Sequence, residues 1–166
     1  MNSYIEKLLQ RYSKAGILLD TNILLLYFVG TFDKNEILKF KRTKTFAIED
    51  YFTLIAFLSH FEKVITTPNI ITEVSNLSSQ IGEHFRTDYF KQFACGIMLL
   101  NEFYLPSHDI ARMEEFKRFG ITDTGILCLA KTNYLVLTDD FKLSQYMQTK
   151  GIDALNFNHI RPINWN

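Results

Sequence analysis

The stretch GILLDTNILLL, Gly16 to Leu26, sets one carboxylate and two further polar side chains inside an otherwise apolar run. Burying an unpaired carboxylate costs several kcal/mol, so the trio Asp20-Thr21-Asn22 marks a boundary between two buried elements. A short strand, GILLD, ends at Asp20, and a helix opens after it. Four more runs have the same character: KVITTP (63–68), EFYLPS (102–107), YLVLTDD (134–140) and IDALNF (152–157). Segments of helical length separate them, at 22–29, 46–61, 69–80, 84–100, 108–118, 122–132 and 141–150. Thr67 and Pro68 supply an N-cap and a first-turn proline, Ser107 is the expected cap of the segment behind it, and Gly120 and Gly151 stand where helices should stop.

Strands that are nearly all apolar are buried on both faces, the mark of a parallel sheet covered by helices. The expected fold is a three-layer α/β/α sandwich with a five-stranded parallel sheet. In such folds ligands sit outside the carboxyl ends of the strands. No repeat, Pro-rich linker or composition break divides the chain, so residues 1–166 are expected to form a single domain.

The composition, 47% apolar and 14% aromatic, is that of a folded chain. Eighteen Lys and Arg balance eighteen Asp and Glu, so bulk charge does not draw the protein to nucleic acid, and any such contact must be local. One candidate is LKFKRTK, where Lys39, Lys41, Arg42 and Lys44 crowd an expected loop, although a solvated connection would look the same. Arg112, Lys117 and Arg118 are further candidates for phosphate contact. Cys95 and Cys128 lie in apolar segments without metal-ligand spacing and are expected to be reduced core residues. The N-terminal MNSYIEKLLQRYSK scatters its charges, and no later run reaches the ~18 apolar residues of a membrane span, so no membrane association and a cytoplasmic location are expected.

The acids at the strand ends carry the chemistry. Asp20 closes the first strand and Asp140 the fourth; Glu73 lies in the helix after ITTPNII, and Asp123 begins TDTGILCLAKTN. Taken singly, each has a plain structural reading as a cap, a dipole partner or a surface acid. Gathered at one sheet edge, they would repel one another until protons or cations neutralised them. An all-oxygen donor set suits Mg²⁺ or Mn²⁺, whereas Zn²⁺ would favour His or Cys. His60, His84, His108 and His159 fall outside the acid blocks and are not expected to be ligands.

LLDTNILL, TTPNIITEVSNL, GITDTGILCLA and LVLTDDFKL, in this order, resemble the four signature blocks of the PIN domain over roughly residues 16–157. The resemblance implies a metal-dependent endoribonuclease on a five-stranded parallel sheet, acting on RNA with Mg²⁺ or Mn²⁺. Asp20, Glu73, Asp123 and Asp140 match the acidic quartet, with Asp20 and Asp123 as the most direct ligands. Asn22 and Thr138 match polar positions beside the quartet, Asp139 is a neighbour with the weaker claim, and Thr21, Asn22 and Thr138 are expected to orient the ligands through hydrogen bonds. Asp140 is preferred over Asp139 because the pattern is Thr-x-Asp, and because Asp139 would face the opposite side if the strand continued. The resemblance further implies a toxin of a toxin–antitoxin pair, with an antitoxin protein partner and a homodimer. The chain departs from small toxins in its long basic connection, 31–45, and in the aromatic-rich AIEDYFTLIAFLSHFEKV. That helix is expected to be core, as are Tyr89, Phe90 and Phe93. Two other classes compete: a non-catalytic nucleic-acid-binding or protein-interaction module on the same fold, and a phosphotransfer domain. The second lacks a Gly-rich phosphate loop after the first strand.

Overall fold

Asp20 is where the quoted run changes character in three dimensions as well. The computed structural model describes residues 3–131 and 133–161. In chain order the elements are α1 (Ser3–Tyr12), β1 (Ile17–Leu19), α2 (Thr21–Phe32), α3 (Glu36–Lys39), α4 (Ile48–Leu58), β2 (Val64–Thr66) and α5 (Pro68–Ser78). A 3-10 turn at Glu83–Phe85 leads into α6 (Arg86–Ile97), followed by β3 (Asn101–Glu102), α7 (Ser107–Ala111), α8 (Phe116–Ala130), β4 (Leu135–Thr138), α9 (Phe141–Thr149), β5 (Ala154–Asn156) and α10 (Phe157–Ile160). All five strands pair in parallel in the order β3-β2-β1-β4-β5, with helices flanking the sheet as a three-layer sandwich.

The central strands are short but wholly buried: every residue of β1, β4 and β5 is inside. α2 is apolar nearly all round, TNILLLYFVGTF, and such a helix needs cover on every side. It receives that cover from α3, α4, α5 and α6. The approach of α4 is so close that a Cβ on Gly30 would collide with the Tyr51 ring, so glycine fits there and a larger residue does not. One continuous apolar core runs from Ile5 to Ile160. Among the described residues no helix is long and apolar enough to cross a membrane.

Several expectations need correction. The third strand is the two-residue β3 and not 102–107: the chain leaves the sheet edge after Phe103, whose N–H still donates to the Thr66 carbonyl at 3.0 Å, and Pro106 brings no N–H to extend the ladder. The expected helix 108–118 is broken, because 112–115 turn between α7 and α8. Gly120 kinks α8 at φ +72°, a conformation that suits glycine. Ser107 is the first residue of α7 and caps nothing, since Pro106 occupies the cap position. Cys95 is exposed and Cys128 half-buried, both as free thiols; a helix face that looks apolar in sequence turns Cys95 outward. The aromatic helix α4 buries Tyr51, Leu54, Phe57 and Leu58, but Phe52 is exposed. Tyr89 and Phe93 are core, and Phe90 packs against it. Of the expected helix 122–132, Thr132 lies outside the described residues.

Three elements were not expected. α1 docks through Ile5, Leu8, Leu9 and Tyr12, an i, i+3, i+4, i+7 stripe. The Tyr12 hydroxyl donates to Asp153 at 2.7 Å, and burial together with that carboxylate pushes its pKa up to about 12. α3 interrupts the basic connection, and α10 is the last helix among the described residues. Arg161, just past α10, grips buried Asp50 with two nitrogens at 2.8 and 2.6 Å, while Asp50 also accepts from the Ala47 N–H at 2.7 Å. A bidentate pair of this kind ties the C-terminal turn to the start of α4.

Candidate metal centre

Strand order decides where a site can form. The chain winds outward from β1 through β2 to β3, then returns to the other side of β1 for β4 and β5, so the winding reverses between β1 and β4. Loops leaving the carboxyl ends of two strands that flank such a reversal diverge to opposite faces and leave a crevice. Asp20 follows β1 and caps α2; Asp139 and Asp140 follow β4, and Asp140 caps α9. Glu73 on α5 and Asp123 on α8 reach the same place. Together the five carboxylates, with Thr21, Asn22 and Leu143, line a cleft of about 140 Å³.

Hydrogen bonds fix the rim. Asp20, only 5% exposed, accepts from the Ile23 N–H on Oδ1 (2.9 Å) and from the Asp139 N–H on Oδ2 (3.1 Å). Thr21 donates to Glu73 Oε2 at 3.1 Å, and Asn22 Nδ2 donates to Asp139 Oδ1 at 3.1 Å. Buried Thr138 lies behind the cleft and accepts from the Asp140 N–H at 3.0 Å. Asp140 Oδ1 takes the Lys142 and Leu143 N–H groups at 2.7 and 3.0 Å.

The electrostatics are those of a site short of positive charge. Burial drives the Asp20 pKa up to about 8; the Asp139 charge adds to this, while hydrogen bonds from Thr138, Ile23 and Asp139 pull back. Burial also raises Asp123 to about 6, helped by Glu73 and Asp140. No Lys, Arg or His is among the residues lining the cleft. Raised pKa values at Asp20 and Asp123 are what burial beside like charges produces, and the donor set, all oxygen, fits a hard divalent ion. Among the described residues no three Asp, Glu, His or Cys side chains stand as a ready-made ligand group. Asp20 and Asp140 point oxygens at backbone N–H groups, so an ion would draw on their remaining lone pairs or turn them.

All four acids of the expected quartet line the cleft, and so do Thr21 and Asn22. Asp139 does as well, which corrects the expectation that it faces away. β4 ends at Thr138, so alternation no longer applies one residue later. The basic segment is not at the cleft: Lys39, Lys41, Arg42 and Lys44 are exposed, Lys39 is paired with Glu36 at 2.8 Å, and Lys39 and Lys41 line a separate cleft with Phe40, Gln80 and Ile81. Arg118 stands out among the other candidates. It lies over the Phe119 and Tyr146 rings at 4.8 and 5.1 Å, and none of the described carboxylates pairs with it. Its stacking partner Tyr146 is one turn beyond cleft-lining Leu143 on α9. The four histidines are exposed and none lines the cleft.

Compared with protein-family models, curated proteins and solved structures, the chain matches none of them.

Proposed function

We propose that the protein is a Mg²⁺- or Mn²⁺-dependent endoribonuclease. The single observation that carries this reading is the meeting of five carboxylates, from four distant segments of chain, in one cleft with no cationic side chain on its wall. The resemblance of those segments to PIN-domain blocks supplies the reaction class. A divalent ion held by Asp20 and Asp123, with Glu73, Asp139 and Asp140 around it, would lower the pKa of water for attack on a phosphodiester.

The chain's own residues have definite tasks in this reading. Thr21 and Asn22 hold the Glu73 and Asp139 carboxylates by their hydrogen bonds and leave the remaining oxygens for the ion. The α2 and α9 N-termini stabilise the adjacent acids and partly offset their mutual repulsion. At about 140 Å³ the cleft has room for an ion, a few waters and a phosphate. Arg118, propped on two rings and paired with none of the described carboxylates, is a candidate contact for the RNA backbone. Arg118→Ala is expected to weaken RNA binding and flatten the plot of log K against log salt by about one unit of slope, with Mn²⁺ affinity unchanged. An unchanged salt slope would remove Arg118 from the contact.

Cleavage of mixed RNA with Mg²⁺, Mn²⁺ or EDTA, by wild type and by Asp123→Asn, tests the function. The finer reading, a toxin with an antitoxin partner, rests on the resemblance alone. It requires growth arrest on induction that a neighbouring open reading frame relieves.

A further inference from the structure

We infer that Asn156 and Asn158 are positioning residues for the acidic cleft: their side-chain amides converge on the carbonyl oxygen of Asp139 and hold the 138–140 turn with its carboxylates toward Asp20. This rests on the metal-centre reading above. Asn156 Nδ2 lies 3.4 Å and Asn158 Nδ2 3.3 Å from the Asp139 oxygen, so both of its lone pairs are engaged. Parallel pairing of β4 with β5 sets Asn156 opposite Thr138, which is what brings the amides to the turn.

The direction of each amide follows from its other end. Asn156 Oδ1 accepts from the Asn158 N–H at 2.9 Å, which leaves its NH₂ facing Asp139. Asn158 Oδ1 accepts from Arg161 Nη1 at 3.1 Å, with the same consequence. Arg161 is in turn locked on Asp50. A continuous set of polar contacts therefore runs from the C-terminal clamp through Asn158 to Asp139, whose N–H donates to Asp20.

The turn needs such a hold. β4 has ended, so no ladder bond restrains the Asp139 carbonyl, and Asp20 and Asp139 both line the cleft. The Asp139 N–H is held by Asp20 and its carboxylate by Asn22, and the two amides take the remaining polar group, the carbonyl. Neutral amides do so without adding a positive charge that would compete with a metal ion; Lys or Arg in their place would fill the role the cleft leaves open.

Asn158→Asp separates positioning from plain stability. It keeps the shape and the acceptor for Arg161, strengthens that pair with a charge, and turns an oxygen instead of an N–H toward the Asp139 carbonyl. Mn²⁺ affinity by calorimetry, kcat and KM on RNA, and the melting temperature are measured for wild type, Asn158→Asp and the uncharged Asn158→Ala. Both variants are expected to bind Mn²⁺ about tenfold more weakly and to lose about tenfold in kcat, with KM for RNA little changed. Asn158→Asp should melt no lower than wild type. Wild-type Mn²⁺ affinity and kcat in both variants would overturn the inference. Wild-type protein that neither binds Mn²⁺ nor cleaves RNA would remove the metal-centre reading, and this inference with it.

Discussion

Asp20→Asn is expected to abolish divalent-dependent RNA cleavage and, in the same metal-free protein, to raise the melting temperature at pH 8. Asp20 is 5% exposed and faces the Asp139 charge, so its ionised form is disfavoured in the fold. Asn removes that charge and retains an oxygen for the Ile23 N–H. It loses the acceptor for the Asp139 N–H, so the gain is smaller than charge relief alone would give. A net gain of about 1–2 kcal/mol corresponds to roughly 2–8 °C for a chain of this size. Cleavage should fall by roughly 10³-fold or more, about 4 kcal/mol of transition-state stabilisation, if Asp20 is the ligand proposed for it. Stability and activity moving in opposite directions is the signature of an acid retained for function. A variant that melts several degrees lower and still cleaves would show Asp20 to be an ordinary helix cap.

The second large effect is on pH dependence. Asp20 rises from 3.8 to about 8 on folding and Asp123 from 3.8 to about 6, so between these values the folded chain holds protons that the unfolded chain has released. The stabilisation from protonation is therefore fully present below about pH 4, and is lost as pH rises through about 6 for Asp123 and about 8 for Asp20. The difference in melting temperature between wild type and Asp20→Asn isolates the Asp20 share, and it should widen in favour of the variant from pH 5 to pH 9. Mn²⁺ should close the gap by stabilising wild type at pH 8 far more than at pH 5, where protons must first be displaced. At pH 7 its binding should release close to one proton from Asp20, read by calorimetry in two buffers of different ionisation enthalpy. A gap that stays constant with pH would mean that Asp20 titrates normally.

What could be seen in the sequence was what one element decides for itself. GILLD had to be a buried strand, TNILLLYF a buried helix, and Thr67-Pro68 a helix start, and Thr67 does cap α5 by accepting from the Ile70 N–H. The acids at the carboxyl ends were legible because strand and helix patterns both stop at them. The remainder depended on partners. Asp139 looked misplaced because alternation was carried one residue past the end of β4, a boundary set by the backbone and not by side-chain pattern. Asn156 and Asn158 gave no sign of their part, since Asn-Phe-Asn after a strand is also an ordinary helix cap, and only the register of β4 against β5 brings them to Asp139. The basic LKFKRTK stretch was conspicuous by composition but lies away from the acidic cleft, whereas Arg118 acquires its setting only once α8 and α9 pack and Tyr146 comes under it.

The measurement that bears most directly on the account is cleavage of a mixed RNA substrate by wild type and Asp123→Asn in parallel, with Mn²⁺ or with EDTA. Wild type is expected to cleave with Mn²⁺ and not in EDTA, and Asp123→Asn to lose roughly 10³-fold with the fold intact by circular dichroism. Cleavage that persists in EDTA, or that is equal in the two proteins, would contradict it.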